Sequence, residues 1–259
     1  MIDRQRARHA FDEYVCEYDP NNPRIALKID HTLRVADLCE RIASHQGLDT
    51  DLAWLCGLLH DIGRFEQVRR YDTFNDAASV PHAQLGADVL FGYTDPRGPQ
   101  IRAYAQEGED LLIKATVVTH SAYRLPSELD DRTRAYCNVV RDADKIDIIK
   151  VNCICPIEDI YGVSEREMES SELSPEVERI FYEHRTVPRN VRSYPADILI
   201  SHICFAWELV YPISRIILLE QGYLYRMLSR RFANPRTQER VLHMAHHMRA
   251  WLHTEGNPV

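Results

Sequence analysis

Histidines and aspartates stand inside the apolar stretches of this chain. His31 sits in "RIALKIDHTLRVADLCERIASHQG", and His60 and Asp61 close "DTDLAWLCGLLHD". His82 opens "PHAQLGADVLFGY", His120 falls late in "EDLLIKATVVTHSAYRL", and Asp144 lies within "DRTRAYCNVVRDADKIDIIKV". Ligands carried on different helices and converging inward make a metal site in a helical bundle. Nitrogen and carboxylate donors without a thiolate suit iron, manganese, zinc or cobalt rather than a structural zinc. The adjacent pair has a geometric meaning. Consecutive helical side chains diverge by about 100°, so both reach one centre most easily where a helix ends. Gly63 is expected to supply the flexibility for that turn. A carboxylate at such a corner can bridge two metals while its histidine binds one.

The elements that must hold these residues read as helices. In the first stretch Ile25, Ile29, Leu33, Val35, Ala36, Leu38 and Ile42 recur near helical spacing, and Gly47 suits the stop. Asp49 or Thr50 is a cap for the second, Pro81 fits the first turn of the third, and the acids before Leu111 favour the positive end of the fourth. Two more long runs follow, "PADILISHICFAWELVYPISRIILLEQGYLYRML" and "NPRTQERVLHMAHHMRAWLH", and Pro212 is expected to break or kink the first. No alternating period bounded by hairpin turns argues for a sheet. The expected class is all-α: one domain over residues 1–259, with a metal-binding core at 25–155 and a helical extension at 156–259 packed on it. Residues 69–80 and about 156–194 look irregular, the latter around a short helical piece.

The whole chain narrows the function. With 259 residues, 45% apolar and 27% charged, it is long enough to bury a core. The formal net charge of -8 disfavours wrapping a long nucleic acid, which needs a basic track. A small phosphorylated ligand needs only local cations or metals. Seven irregularly spaced cysteines argue against a disulfide framework, and Cys153 with Cys155 lacks a second ligand pair for zinc. No apolar run has the length of a membrane span, and the start lacks the apolar core of a signal peptide. The expected compartment is the cytoplasm, with no membrane partner.

His31, then His60-Asp61, then Asp144 resembles the H…HD…D signature of the HD-domain superfamily of metal-dependent phosphohydrolases. "HDIGRF", "FNDAASVPHAQLGADVL" and "DADKID" look like text of that family, and the resemblance covers roughly residues 25–155. His82 and His120 match the two further histidines of its dinuclear branches. The resemblance implies an HD helical bundle in which His31, His60, Asp61 and Asp144 hold a first metal. Asp61 would bridge to a second, completed by His82 and His120. The implied metals are two divalent transition ions, iron or manganese foremost, with zinc, cobalt and nickel as further fits. The implied reaction is hydrolysis of a nucleotide, dinucleotide or phosphomonoester by a metal-activated water. Ser121 follows His120, where the HD-GYP cyclic-dinucleotide phosphodiesterases carry two consecutive histidines, and no GYP motif is present. Both departures lower the cyclic di-GMP reading.

Phosphate chemistry also needs cations near the metals. Arg64, one turn beyond His60, is read as a phosphate contact, against an ion pair with Glu66 worth about 0–1 kcal/mol. Lys145 adjoins Asp144 and is a candidate to orient the site, or to pair with Asp142. Arg69, Arg70 and Tyr71 head the segment before His82 and are candidates for a substrate patch, with Phe74 as a stacking face or lid; a solvated face is the competing reading. His243 and His247 stand four apart but lack the glutamate of a zincin, so a helix face is the better reading. The aromatics Phe205, Trp207, Tyr211, Tyr223 and Tyr225 suit a core or a homodimer face, and Trp207-Glu208 is a candidate to close the site. Two other functions share the ligand set: a mixed-valent di-iron oxygenase, excluded by activity with manganese or cobalt in the absence of oxygen, and a nucleotide-binding sensor, marked by binding without turnover.

Overall fold

The computed structural model describes residues 2–92, 104, 105 and 107–254. Among these no residue is in a β-strand, and the class is all-α. No described helix is long and apolar enough to cross a membrane. The chain divides into two compact units, Met1–Asp144 and Lys145–Val259.

In the first unit, α1 (Arg4–Val15) is a helix that the charged start of the chain conceals. Its buried residues Ala7, Phe11, Tyr14 and Val15 form a one-sided stripe, and Asp3 caps it by accepting from the Arg6 N–H. α2 (Pro23–Gln46) starts with Asn22 as cap and Pro23 at its first turn, and stops at Gly47 with φ 65°. α3 (Thr50–Leu59) is capped by Asp49 and buried from Leu52 through Leu59. A helix that is apolar all round belongs in a core. Each of Leu52, Leu55, Leu58 and Leu59 contributes about 1.5–3 kcal/mol by burial. His60 and Asp61 therefore follow a strongly anchored element.

α2 and α3 approach closely because Gly57 lacks a side chain: a Cβ there would stand 2.8 Å from Ala36 Cα. α4 (Gly63–Tyr71), α5 (His82–Phe91), α6 (Asp110–Thr119) and the start of α7 (Asp131–Ile154) complete the unit. Gly63 does a different job from the turn flexibility expected of it. It opens α4 without a positive φ, and a Cβ on it would lie 2.3 Å from His82 O and 2.4 Å from Gly86 N. Its bare backbone lets α4 touch the first turn of α5. Of the segment 69–80, residues 69–71 end α4 and the rest is a loop containing a 3-10 turn, Asp76–Ala78.

The second unit carries α8 (Ile157–Tyr161), α9 (Glu165–Ser170), α10 (Pro175–Tyr182), α11 (Pro195–Ile203), α12 (Pro212–Gln221), α13 (Tyr223–Met227) and α14 (Pro235–Thr254). The stretch 156–194 is thus more helical than expected. α8 and α9 are too short to display a 3.6-residue period, and α9 is fixed locally by a capping box between Ser164 and Glu167. Pro212 does interrupt its run. A 3-10 turn at Cys204–Glu208 precedes it, and it stands at the start of α12.

Candidate metal centre

His31 reaches the centre from the middle of α2, and His60 and Asp61 from the end of α3. His82 comes from the first turn of α5, His120 from the end of α6, and Asp144 from α7. All six are buried, with Asp144 the most exposed at 9%. They form two groups able to hold a metal ion: His31, His60 and Asp144, and Asp61, His82 and His120.

Asp61 faces both groups. Its Oδ2 is 3.6 Å from His31 Nε2 and 3.5 Å from His60 Nε2. Its Oδ1 is 3.3 Å from His120 Nε2 and 3.5 Å from His82 Nε2. Asp144 Oδ1 closes the first group at 3.2 Å from His31 Nε2 and 3.7 Å from His60 Nε2.

The hydrogen bonds behind the imidazoles show which nitrogen is available. His60 Nδ1 donates to Gly57 O at 2.7 Å, and His120 Nδ1 to Val117 O at 2.7 Å. A carbonyl only accepts, so each neutral ring carries its proton on Nδ1 and a lone pair on Nε2. His82 Nδ1 donates to both oxygens of Asp76, each at 2.8 Å. Burial, with Arg64 nearby, pushes the His82 pKa down to about 3, so this ring stays neutral. The two lone pairs of His82 and His120 then face each other at 3.0 Å. His60 Nε2 and Asp61 Oδ1 are buried and make no hydrogen bond among the described residues. Lone pairs converging on carboxylates in a dry site repel unless a cation lies between them. The residues fit divalent metals of the kind that take nitrogen and oxygen ligands.

The charges around the ligands favour ionised carboxylates. Burial alone would raise the Asp61 pKa. The Lys28 ammonium, 2.5 Å from Oδ2, and the His60 ring overcome it and hold the group well below the usual carboxylate range. Burial likewise opposes ionisation of Asp144, and His31 and His60 pull it down.

An outer ring ties the centre to the loop before α5. Gln67 Nε2 donates to Asp76 Oδ1 at 2.9 Å, to Ser79 Oγ at 2.9 Å and to Val80 O at 3.0 Å. Arg64 Nη1 donates to Gln67 Oε1, to Phe74 O at 2.8 Å and to Asp76 Oδ1 at 3.1 Å. The Phe74 ring is flanked by two cations, Lys28 Nζ at 5.3 Å and the Arg64 guanidinium at 5.6 Å from its centroid. Asp76 orients His82 and raises its donor strength. Asp76→Asn is therefore expected to weaken metal binding at the His82 group by about 10–100-fold, read by competition with a coloured chelator. Unchanged affinity would show the Asp76 bond to be inconsequential.

Arg64 stands beside the centre, its Nε 3.6 Å from Asp61 Oδ1, and pairs with Asp76 rather than Glu66. Arg69 and Arg70 both pair with Glu66, which is fully buried and also accepts from the Tyr18 hydroxyl at 2.6 Å. Two arginines and a phenol on one buried carboxylate make a structural cluster. Tyr71 is 44% exposed at the end of α4. Lys145 Nζ pairs with Glu208 Oε2 at 2.9 Å in the second unit, and Trp207 stacks on His184 there. Lys28 and Asp76 went unread in the sequence. Lys28 had a signal, since it lies three residues before His31 on the same helix face. Asp76 lies in a loop with no period to place it.

Fold and site together define a class: an all-α protein in which six buried His and Asp side chains, Asp61 among them, form two groups that could hold metal ions. The family follows from comparison: residues 29–149 match the family model of the HD domain. This segment is an HD domain, of the superfamily of metal-dependent phosphohydrolases, and it contains all six ligand candidates. The chain is also 33% identical over 89 residues to Ribonuclease Y of Oleidesulfovibrio alaskensis, covering 34% of this chain and 15% of that one. It is 34% identical over 82 residues to Ribonuclease Y of Nitratidesulfovibrio vulgaris, covering 32% of this chain and 14% of the relative. The match thus spans a small part of those longer proteins. No solved structure matches significantly.

Proposed function

We propose that the protein is a phosphohydrolase of small phosphoesters, a nucleotide, dinucleotide or phosphomonoester, working with two divalent metals. The observation that carries this reading is Asp61, whose two oxygens face two different ligand groups. His31, His60 and Asp144 would hold one metal, His82 and His120 the other, and Asp61 both. Bound there, divalent metals would neutralise charge on the phosphoryl oxygens and lower the pKa of a water, so that hydroxide is available to attack phosphorus.

The chain's own residues do the rest. His60, His82 and His120 present lone pairs already oriented by their Nδ1 bonds. Lys28 and Arg64 put two cations beside Asp61, where the negative phosphoryl group would sit. Arg64 anchors the 72–80 loop through Nη1, which leaves its other terminal nitrogen for phosphate. The chain's net charge of -8 confines this attraction to the site and favours small substrates. The cytoplasm and a homodimer remain the expected setting.

The test is a phosphoester panel with protein loaded with manganese, iron or cobalt, without oxygen. Because its relatives are named as ribonucleases, the panel includes short RNA. Release of phosphate or nucleotide from one member is expected, falling about 10³-fold or more in His60→Ala. Turnover that survives His60→Ala, or needs oxygen, would overturn the reading.

A further inference from the structure

The second unit holds a cation, Arg192, that forms no ion pair among the described residues. Arg192 follows a short 3-10 turn and lines a surface cavity of about 230 Å³, with Tyr161, Val163, Tyr194 and Ile198 among the walls. Its side chain makes one hydrogen bond among the described residues, from Nη2 to Val187 O at 2.7 Å. Its Nε is buried and has no acceptor. No carboxylate among the described residues forms an ion pair with it. The buried Asp197 accepts instead from Ser174 N and Oγ, Ser193 N and Tyr194 N, at 2.6 to 3.0 Å. Burial, with repulsion from Arg189, pushes the guanidinium pKa down to about 10. A partly buried arginine with unused donors and no ion-pair partner among the described residues is suited to an oxyanion.

The walls around it are fixed. The Tyr161 hydroxyl donates to Asn152 Oδ1 and lies 3.0 Å from His202 Nδ1, and its ring stacks on His202 at 5.7 Å. The cavity is smaller than the roughly 300–1,000 Å³ of drug-sized sites, which suits a compact ligand. Its other walls are largely apolar, so a bare inorganic ion would leave them unused.

We propose that this cavity is a second ligand site, for a small organic oxyanion: a carboxylate or phosphate on a compact apolar or planar body. The acid group meets Arg192, and the body packs against Tyr161, Val163 and Ile198. All of these residues belong to the second unit, so the proposal is independent of the metal chemistry.

The test uses the full chain with arginine Nε–H groups labelled for NMR, where the signal missing from Arg192→Leu identifies Arg192. Benzoate and phenyl phosphate are expected to move that signal saturably, inorganic phosphate only weakly, and benzyl alcohol not at all. Arg192→Leu should bind benzoate about tenfold or more weakly while melting no lower than the parent, because an unpaired charge has been removed. Ile198→Trp keeps the arginine and fills the cavity, and should weaken binding as well. An Arg192 signal that stays still at saturating benzoate would overturn the proposal. So would full-strength binding to Ile198→Trp, or a fall in melting temperature in Arg192→Leu with benzoate binding unchanged.

Discussion

Replacing Asp61 by alanine is expected to cost about 10³-fold or more in turnover on any phosphoester the protein accepts. It should also leave the purified protein short of metal by elemental analysis. The size of the effect follows from position. One carboxylate faces His31 and His60 with Oδ2, and His82 and His120 with Oδ1, so one deletion removes a ligand from both groups. The same change leaves Lys28 without the carboxylate it touches at 2.5 Å. A variant that keeps near-parental turnover and full metal content would show that Asp61 does not join the two groups.

Gly63→Ala is expected to cost about 3 kcal/mol or more of stability, lowering the melting temperature by about 6–12 °C in a chain of this size. The substitution is harmless by propensity, since alanine is the better helix former and Gly63 has no positive φ. The cost is steric. The new methyl would meet His82 O at 2.3 Å and Gly86 N at 2.4 Å, both backbone atoms that cannot rotate away. Separating α4 from α5 also moves His82, so metal binding should fall together with stability. Gly86→Ala is the internal control. Its methyl meets the Val117 side chain at 3.1 Å and Gly63 N at 3.3 Å, contacts that a shift of a few tenths of an ångström relieves, and a markedly smaller loss is expected. Equal losses in the two variants would refute the backbone-contact account.

Several parts of this arrangement were legible in the sequence, for a physical reason. His31, His60, His120 and Asp144 sit on helices whose apolar spacing announces them, so their burial could be inferred from period alone. The cap at Asp49 and the stop at Gly47 were equally local, and Pro81, expected in the first turn of its helix, stands one residue before it. What escaped notice depends on tertiary approach or on aperiodic chain. The work of Gly63 lies in what α5 places against it. Asp76 acts from a loop, and α8 and α9 are too short to carry a period. α1 was hidden because its buried stripe is interleaved with arginines and acids. For Arg69 and Arg70 the sequence left a substrate patch and a solvated face open, because their pairing with the buried Glu66 has no sequence period to announce it.

The Asp76–His82 bond joins two properties usually measured apart. Asp76 belongs to a loop held by Arg64 and Gln67, and it also accepts from the Nδ1 of a ring whose Nε2 faces the centre. An ion that binds His82 therefore favours the conformers in which the loop is closed, and a closed loop favours the ion, by the same free energy in both directions. Amide exchange across residues 72–80 becomes a gauge of occupancy at the second ligand group. The loop before α5 would thus report on an ion bound at His82.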